Sequence, residues 1–599
     1  MKLLNSLILP DDLKKLNLED KNNLCSEIRE EIITVVSKNG GHLASNLGTV
    51  ELTVAIHSVF DSPKDKIIFD VGHQAYTHKL LTGRADRFHT LRQKGGISGF
   101  MRPDESEHDP VITGHSSASI SNALGIAEGM KIKGEDGFAV AVIGDGALTG
   151  GLAYEGLNNA GRSNAKLIVV LNHNSMSISK NIGGISKYLS DIRINRSYIK
   201  TKNATKNFLS HIWLIGKPLS QAISKLKNKL KSKLLVNTIF EDLGFDYLGP
   251  VDGHDIAEIE AALEVAKTVQ GPVVVQVNTV KGKGYAPAEN YPGEFHGVSG
   301  YNIETGEKPA SKESFAEIFG KELVEIAKTN DKVCAITAAM KYGVGLNEFS
   351  KAFPERFFDV GIAEEHAVSF ASGLSKTGMI PVVAIYSTFL QRSYDQLIHD
   401  IAISGSKCVI CVGNAGIAGE DGETHQGLFD ISFLTSIPNV TIYSPSSYNE
   451  LKSCLNKAIN QDDGLVCVRY PRGCETASLN NDSDFIYTNR NSDKLIIAYG
   501  KEASIASASA EKLCCSFLHL TKIFPIDDSI YEIINCYSKA YMFEEAVFEG
   551  SIGQKLMAKC NNLKSYAISG FVPHMKPCEA LDLYNLSEEK IIETVKENL

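Results

Sequence analysis

The sequence reads as an α/β protein of three doubly wound, mainly parallel domains. Its 599 residues leave room for several domains at roughly 100–200 residues each. Short apolar runs such as FAVAVIG, IPVVAIY and KLIIAYG alternate with segments of helical period along nearly the whole chain, the pattern of strands joined by crossover helices. The stretch from Gly144 to Met176, GDGALTGGLAYEGLNNAGRSNAKLIVVLNHNSM, opened by the strand FAVAVIGDG and closed by KLIVVLNHN, forms one such strand–helix–strand unit. Ligands of these units sit at the carboxyl ends of the strands. No repeat of solenoid period is visible.

Taken in order, Lys21 to Lys38 has helical periodicity and stops at Asn39-Gly40-Gly41, a helix-end signal. GGHLASNLGTVELTVAIHSVF turns on glycine into a helix with small residues for close packing. KIIFDVGHQAY is a short strand ending in Val71-Gly72-His73. After a long polar loop, Thr82 to Asp109, TGHSSASISNALGIAEGM again sets Gly-His at a helix start. Gly41-His42, Gly72-His73 and Gly114-His115 thus repeat one device, an imidazole presented at the end of an element, where scaffolds display functional groups. His42 and His73 are candidates for proton transfer near neutral pH, and His115 fits a structural role.

The unit at Gly144 places Asp145 and Asn174 at two strand ends. A carboxylate, an amide and a backbone carbonyl are hard donors suited to a Mg²⁺ that holds a diphosphate. Gly144 and Gly146 let the backbone approach phosphates closely. Between Lys180 and Phe240 the pattern changes, with thirteen basic residues against one acid, Asp191. The amphipathic PLSQAISKLKNKLKSKLL within it suits an anionic surface, or a loop and helix covering a ligand cleft, which is the reading we take. The core resumes at FEDLGFDYLGPVDGHD and the strand GPVVVQVNTV.

Polar YNIETGEKPASKES, with Gly306 and Pro309, reads as a linker. A second series follows: helix from Ser314, strand KVCAITAAM, helix from Ala363, strand IPVVAIY, helix from Gln391, strand KCVICV. A third begins near Asp493 with strand KLIIAYG, helix ASIASASAEKL, strand KAYMFEE and helix SIGQKLMAK. The expected domains are therefore 1–300, carrying the basic insertion at about 180–240, then 311–480 and 490–599.

Composition narrows the function classes. A net charge of −10 argues against a nucleic-acid surface, so anionic ligands need local cationic clusters. No apolar run approaches the roughly 20 residues of a membrane span, and MKLLNSLILPDDLKKL lacks the small-residue cleavage site of a secretory signal. Twelve cysteines are scattered without a framework. Cys408 and Cys411 form a CxxC inside a β-rich run and read as buried, inert thiols. A cytoplasmic, reducing setting with no nucleic-acid or membrane partner is expected.

GGHLASNLG, FDVGHQAY, TGHSSASIS, GDGALTGG, LNHNSMSIS, KGKGYAPAE, FHGV, DVGIAEEHAV, YSTFLQR, EDGETHQG and RYPRG occur in this order. Together they closely resemble the 1-deoxy-D-xylulose-5-phosphate synthase family, thiamine diphosphate enzymes of the transketolase superfamily. The likeness runs from about Gly40 into the C-terminal domain. It implies a transferase that decarboxylates pyruvate and adds the two-carbon unit to D-glyceraldehyde 3-phosphate. The product, 1-deoxy-D-xylulose 5-phosphate, would feed isoprenoid, thiamine and pyridoxal biosynthesis.

The resemblance further implies thiamine diphosphate and Mg²⁺ as cofactors, with Asp145, Asn174 and Met176 on the metal. Around the cofactor it places His73, Gly114, His115, Ser116, Gly146, Ala147, Asn174, Tyr285, Glu364 and Phe389. Glu364 matches the acid that touches the pyrimidine ring nitrogen, a task needing a carboxyl raised by burial; Glu365 beside it points elsewhere. The catalytic set is Glu364, His42, His73, His425 and His296, with His366 a further candidate. Tyr386, Arg392, Asp421 and Arg472 are expected on substrates, the arginines as forks for the acceptor phosphate. A homodimer is implied, each site formed between the first two domains of one chain.

Three positions depart from the family pattern. Asn414 stands where arginine is usual, His173 where aspartate is common, and Val344 where threonine is common. The first removes an expected phosphate contact. A transketolase-type ketol transferase and a non-catalytic cofactor-binding paralogue are the alternatives; CO₂ release from pyruvate that depends on the aldehyde separates all three.

Overall fold

The computed structural model describes residues 3–174, 184, 187–188, 238–309, 312–461, 464–476, 479 and 482–597. Met176 and nearly all of the basic insertion lie outside the described residues. The chain divides into two compact units, Met1–His89 with Phe100–Gly306, and Thr90–Gly99 with Glu307–Leu599.

The first unit holds β1 (Lys66–Phe69), β2 (Ala139–Gly144), β3 (Leu167–His173), β4 (Asp246–Asp252) and β5 (Val273–Asn278) in the order β1-β2-β3-β5-β4. Every neighbouring pair is parallel. Runs such as VVVQV and LIVVL are apolar throughout because both faces of such a sheet are covered. Helices Ser119–Lys133 and Gly151–Ala160 cover one face, with Ile120, Leu124 and Leu157 buried among Ala141, Ile143, Val169 and Leu171. Because the strands run the same way, Phe69, Gly144, His173 and Asn278 end on one edge, and the functional loops spring from there.

Close backbone approach shapes that edge. Gly72 has φ +79°, and a Cβ on it would lie 2.0 Å from the Thr113 hydroxyl, so only glycine lets the His73 turn lie against the segment leading to Gly114. The 100–109 part of the long polar loop is pinned by buried charge. Arg84 donates to both Asp109 oxygens at 2.7 and 2.9 Å, and His78 Nε2 lies 2.8 Å from the same carboxylate.

The second unit carries β6 (Val333–Thr337), β7 (Phe357–Asp359), β8 (Ile380–Tyr386), β9 (Cys408–Ala415), β10 (Thr441–Tyr443) and β11 (Leu465–Pro471). It continues with β12 (Phe485–Thr488), β13 (Lys494–Tyr499), β14 (Ser516–Leu520), β15 (Lys522–Phe524), β16 (Lys539–Val547) and β17 (Leu563–Ile568). These form a seven-stranded sheet, β15-β10-β11-β9-β8-β6-β7, and a five-stranded sheet, β12-β14-β13-β16-β17. Only the β10–β15 and β12–β14 pairs are antiparallel, so the mainly parallel α/β class read from the sequence holds in all three sheets. Cys408 and Cys411 are buried on β9, and burial pushes both thiols up. All twelve cysteines are free.

Candidate active site

In the first unit, three imidazoles meet. His42, His73 and His296 have ring centroids 5.6, 5.5 and 5.2 Å apart for the pairs 42–73, 42–296 and 73–296. His42 and His73 arrive on the two Gly-His turns, while the third ring of the cluster is His296. Its Nδ1 lies 3.2 Å from Lys281 Nζ and 3.4 Å from Ser45 Oγ. Burial, then the charges of Lys281, His73 and His42, hold His296 well below the usual imidazole range. Burial lowers Lys281 to about 8, against the opposing pull of Asp145.

Asp145 follows β2 and is buried. Its Oδ2 accepts the N–H of Asn174 at 3.2 Å and lies 2.7 Å from His173 Nδ1. The atypical His173 therefore sits fully buried against the very carboxylate expected to hold the metal. Of the two asparagines in LNHN, Asn172 is committed to the Thr279 hydroxyl at 2.6 Å, and Asn174 is the half-buried one at the strand end. A Cβ on Gly144 would meet open space.

The Gly114–Ser116 loop is tied to the Gly146–Ala147 turn through Ser117, whose hydroxyl donates to the Ala147 carbonyl at 2.8 Å. Asp70, just past β1, accepts the N–H groups of Ser117 and Ser119 at 2.8 and 3.0 Å. Tyr285 donates its hydroxyl to Ile303 and packs its ring edge-on against Phe295, so it fixes the chain that leads into His296.

In the second unit, Glu364 opens helix Glu364–Ser375 after β7. Its Oε2 is buried without a hydrogen-bond partner. Burial pushes the carboxyl up to about 7; Arg392, 3.9 Å away, offsets only part of the cost. His366, two residues on, is exposed against Phe370, which takes it away from Glu364.

Phe389 stands between two rings, stacked on Tyr386 at 6.1 Å and edge-on to His425 at 5.6 Å. A Cβ on Gly343 would lie 1.9 Å from the Tyr386 hydroxyl, so the MKYGVG loop passes directly over that ring. Val344 in this loop is fully buried, an environment that suits the apolar replacement. Burial raises Tyr386, with Arg472 and the Asn414 amide opposing it.

Arg92 grips Asp421 through Nη2 and Nε at 2.7 and 3.0 Å. Burial, together with the charges of Arg92 and Arg472, lowers His425 against the opposing Asp421. Arg472 is itself largely exposed, and it donates to the Ala418 carbonyl at 2.5 Å.

Three residues of these clusters were not legible beforehand. Lys281 sits in polar KGKG, which reads as surface. Ser45 is one small residue in a helix start. Arg92 lies in the middle of a long polar loop. Each acquires its neighbours only by tertiary folding.

A family model described as 1-deoxy-D-xylulose-5-phosphate synthase matches residues 4–279, and the transketolase pyrimidine binding domain matches residues 311–474. The 1-deoxy-D-xylulose-5-phosphate synthase of Clostridium kluyveri is 46% identical over 98% of this chain and 97% of its own. Those of Halothermothrix orenii and Carboxydothermus hydrogenoformans are 46% and 47% identical, each over 98% of this chain and 95% and 98% of their own. The pyrimidine-binding domain implies thiamine diphosphate as cofactor. The chain belongs to the 1-deoxy-D-xylulose-5-phosphate synthase family, thiamine diphosphate-dependent enzymes of transketolase type.

Proposed function

We propose that the protein condenses pyruvate, with loss of CO₂, and D-glyceraldehyde 3-phosphate into 1-deoxy-D-xylulose 5-phosphate. The observation that carries this reading is Glu364, a buried carboxyl with an unpartnered oxygen, held near 7. Such a group is half protonated at neutral pH and suited to sharing a proton with a ring nitrogen. The residues present fit the cofactor. An orphaned acid waits in the second unit, and the first offers oxygen donors beside a glycine that opens onto empty space.

Asp145 and Asn174 would hold Mg²⁺ as hard oxygen ligands, with the Met176 carbonyl as the family's third. The backbone at Gly146 and Ala147, and the Gly114–Ser116 loop with His115, would hold the diphosphate. Lys281, buried beside the histidines, balances its charge. Thiamine diphosphate, when bound, supplies a carbon centre that takes up the electron pair left by decarboxylation, chemistry no side chain offers.

The chain's own work is to bind, orient and move protons. Glu364 holds the pyrimidine's proton, and Phe389 offers its face to that ring. His296, kept neutral at pH 7 by burial, offers a hydrogen bond without adding charge, while His42 and His73 serve the substrate oxygens next to it. Arg392 and Arg472 hold the acceptor phosphate. Arg92 fixes Asp421, and His425 is poised beside it for a substrate hydroxyl or carboxylate.

We also read the protein as a cytoplasmic homodimer, a state that sedimentation equilibrium checks directly. The activity test follows CO₂ from labelled pyruvate with and without the aldehyde. Release that requires the aldehyde and yields 1-deoxy-D-xylulose 5-phosphate supports the reading. Ketol transfer between sugar phosphates without pyruvate, or no turnover by cofactor-loaded protein, would overturn it.

A further inference from the structure

We propose that Asn46 is a positioning residue that sets the spacing of the His42 and His73 imidazoles, against which His296 packs; this rests on the catalytic reading of those histidines. Asn46 lies on the short helix Ala44–Leu47 and is completely buried. Its Nδ2 donates to the His42 carbonyl at 2.6 Å and to the His73 carbonyl at 2.7 Å. Its Oδ1 accepts the N–H of Tyr76 at 2.8 Å. One amide therefore ties the 42–46 segment to the 73–76 turn through three backbone groups.

The circuit closes through Tyr76, whose hydroxyl accepts the N–H of His42 at 3.2 Å. The His42 residue is thus held at its N–H by Tyr76 and at its carbonyl by Asn46, while Asn46 also holds Tyr76. The orientation of the amide is dictated by its partners. Two carbonyls need donors and one N–H needs an acceptor, so a flipped side chain would set oxygen against oxygen.

No other residue type meets all three demands at this size. Aspartate has the shape and no donor. Leucine has the volume and no polar atom. Serine reaches one partner. The two carbonyls belong to the very residues whose rings meet at 5.6 Å, so a shift of either peptide carries its imidazole with it. Asn46 touches none of the reacting atoms; it acts through the histidines.

The test uses the full-length protein with Asn46→Asp and Asn46→Ser. Two readouts are taken: steady-state kinetics for both substrates, and the titration of ¹³C-labelled histidines by NMR in cofactor-free protein. We expect kcat to fall by roughly 100-fold, the scale of a displacement of about 1 Å, while both KM values stay within about threefold. In the cofactor-free protein the depressed His296 titration should move up toward the ordinary imidazole range, because its lowering depends partly on His73 and His42. Asn46→Ser, which keeps one donor, should fall between wild type and Asn46→Asp on both readouts.

Should Asn46→Asp fail to fold, the serine variant alone decides, by the same two readouts. A folded variant with wild-type kcat and an unchanged histidine titration overturns the proposal. His42→Ala and His73→Ala separate the two layers of the argument. If these keep full turnover while the Asn46 variants still move the histidine titration, the catalytic reading fails and the positioning role stands. If they abolish turnover while the Asn46 variants match wild type, the positioning role fails.

Discussion

Glu364 titrates near 7 because burial strips its carboxyl of water and Arg392, at 3.9 Å, returns only part of that energy. A carboxyl whose folded value lies above its unfolded one binds extra protons in the native state between about pH 4.5 and 7. Its contribution to stability is therefore fully present below that window and is lost as pH rises through it, by an amount on the order of 3 kcal/mol. Glu364→Gln should stabilise the cofactor-free protein at pH 8 and leave it little changed at pH 4.5, read as thermal midpoints. The same variant should bind thiamine diphosphate and lose turnover by roughly 10²–10⁴-fold, the range of general acid–base catalysis. A midpoint gain that is equal at both pH values would show that the charge is not the cause. Asn414 presents a different balance. Its φ of +53° lies in the left-handed region that asparagine tolerates better than most residues. Asn414→Arg should lower KM for glyceraldehyde 3-phosphate by roughly tenfold, since a hydrogen bond to a charged group is worth about twice a neutral one. It should leave the KM for pyruvate unchanged, and backbone strain should cost about 1 kcal/mol of stability. No change for the phosphorylated aldehyde would mean that the phosphate is held by other groups.

Among the elements, those with long apolar runs were legible from the sequence, and those defined by their partners were not. β2, β3, β9 and β13 each show a continuous buried run, and the helix at Glu364 begins within one residue of its expected start. β7 and β10 are three residues long, too short for any period to register. β15 follows β14 by a single residue yet leaves its sheet to pair antiparallel with β10, a choice made by tertiary packing. The same divide runs through the candidate site. The Gly-His turns announced His42 and His73, whereas Lys281 and Arg92 look like surface charges until folding buries them. The junction of β2 and β3 offers a direct check. Asp145→Ala should abolish Mg²⁺-dependent binding of thiamine diphosphate by calorimetry, since the hard cation loses its carboxylate. It should also lower stability by about 1 kcal/mol through the N–H of Asn174, which loses its acceptor. Cofactor affinity equal to wild type would remove Asp145 from the metal site.

At the scale of the whole molecule, the candidate chemistry is divided, the proposed metal ligands in one unit and the orphaned acid in the other. If each active centre draws both parts from a single chain, a mixed dimer of Asp145→Ala and Glu364→Gln subunits should be no more active than either parent. Activity restored toward a quarter to a half of wild type would instead show centres built across subunits. The division also leaves a mark on how the chain is made. Thr90–Gly99 is encoded inside the first unit and packs with the second, where Arg92 meets an aspartate 329 positions further along. At 5–20 residues per second, the ribosome delivers that partner on the order of tens of seconds after Arg92 has emerged. Throughout that interval the first unit must mature around an open excursion. A ribosome-stalled chain ending near residue 306 should be cut by trypsin at Arg92 or Lys94, and the finished protein should be spared there. Translation speed thus sets how long this decapeptide waits for its distant aspartate.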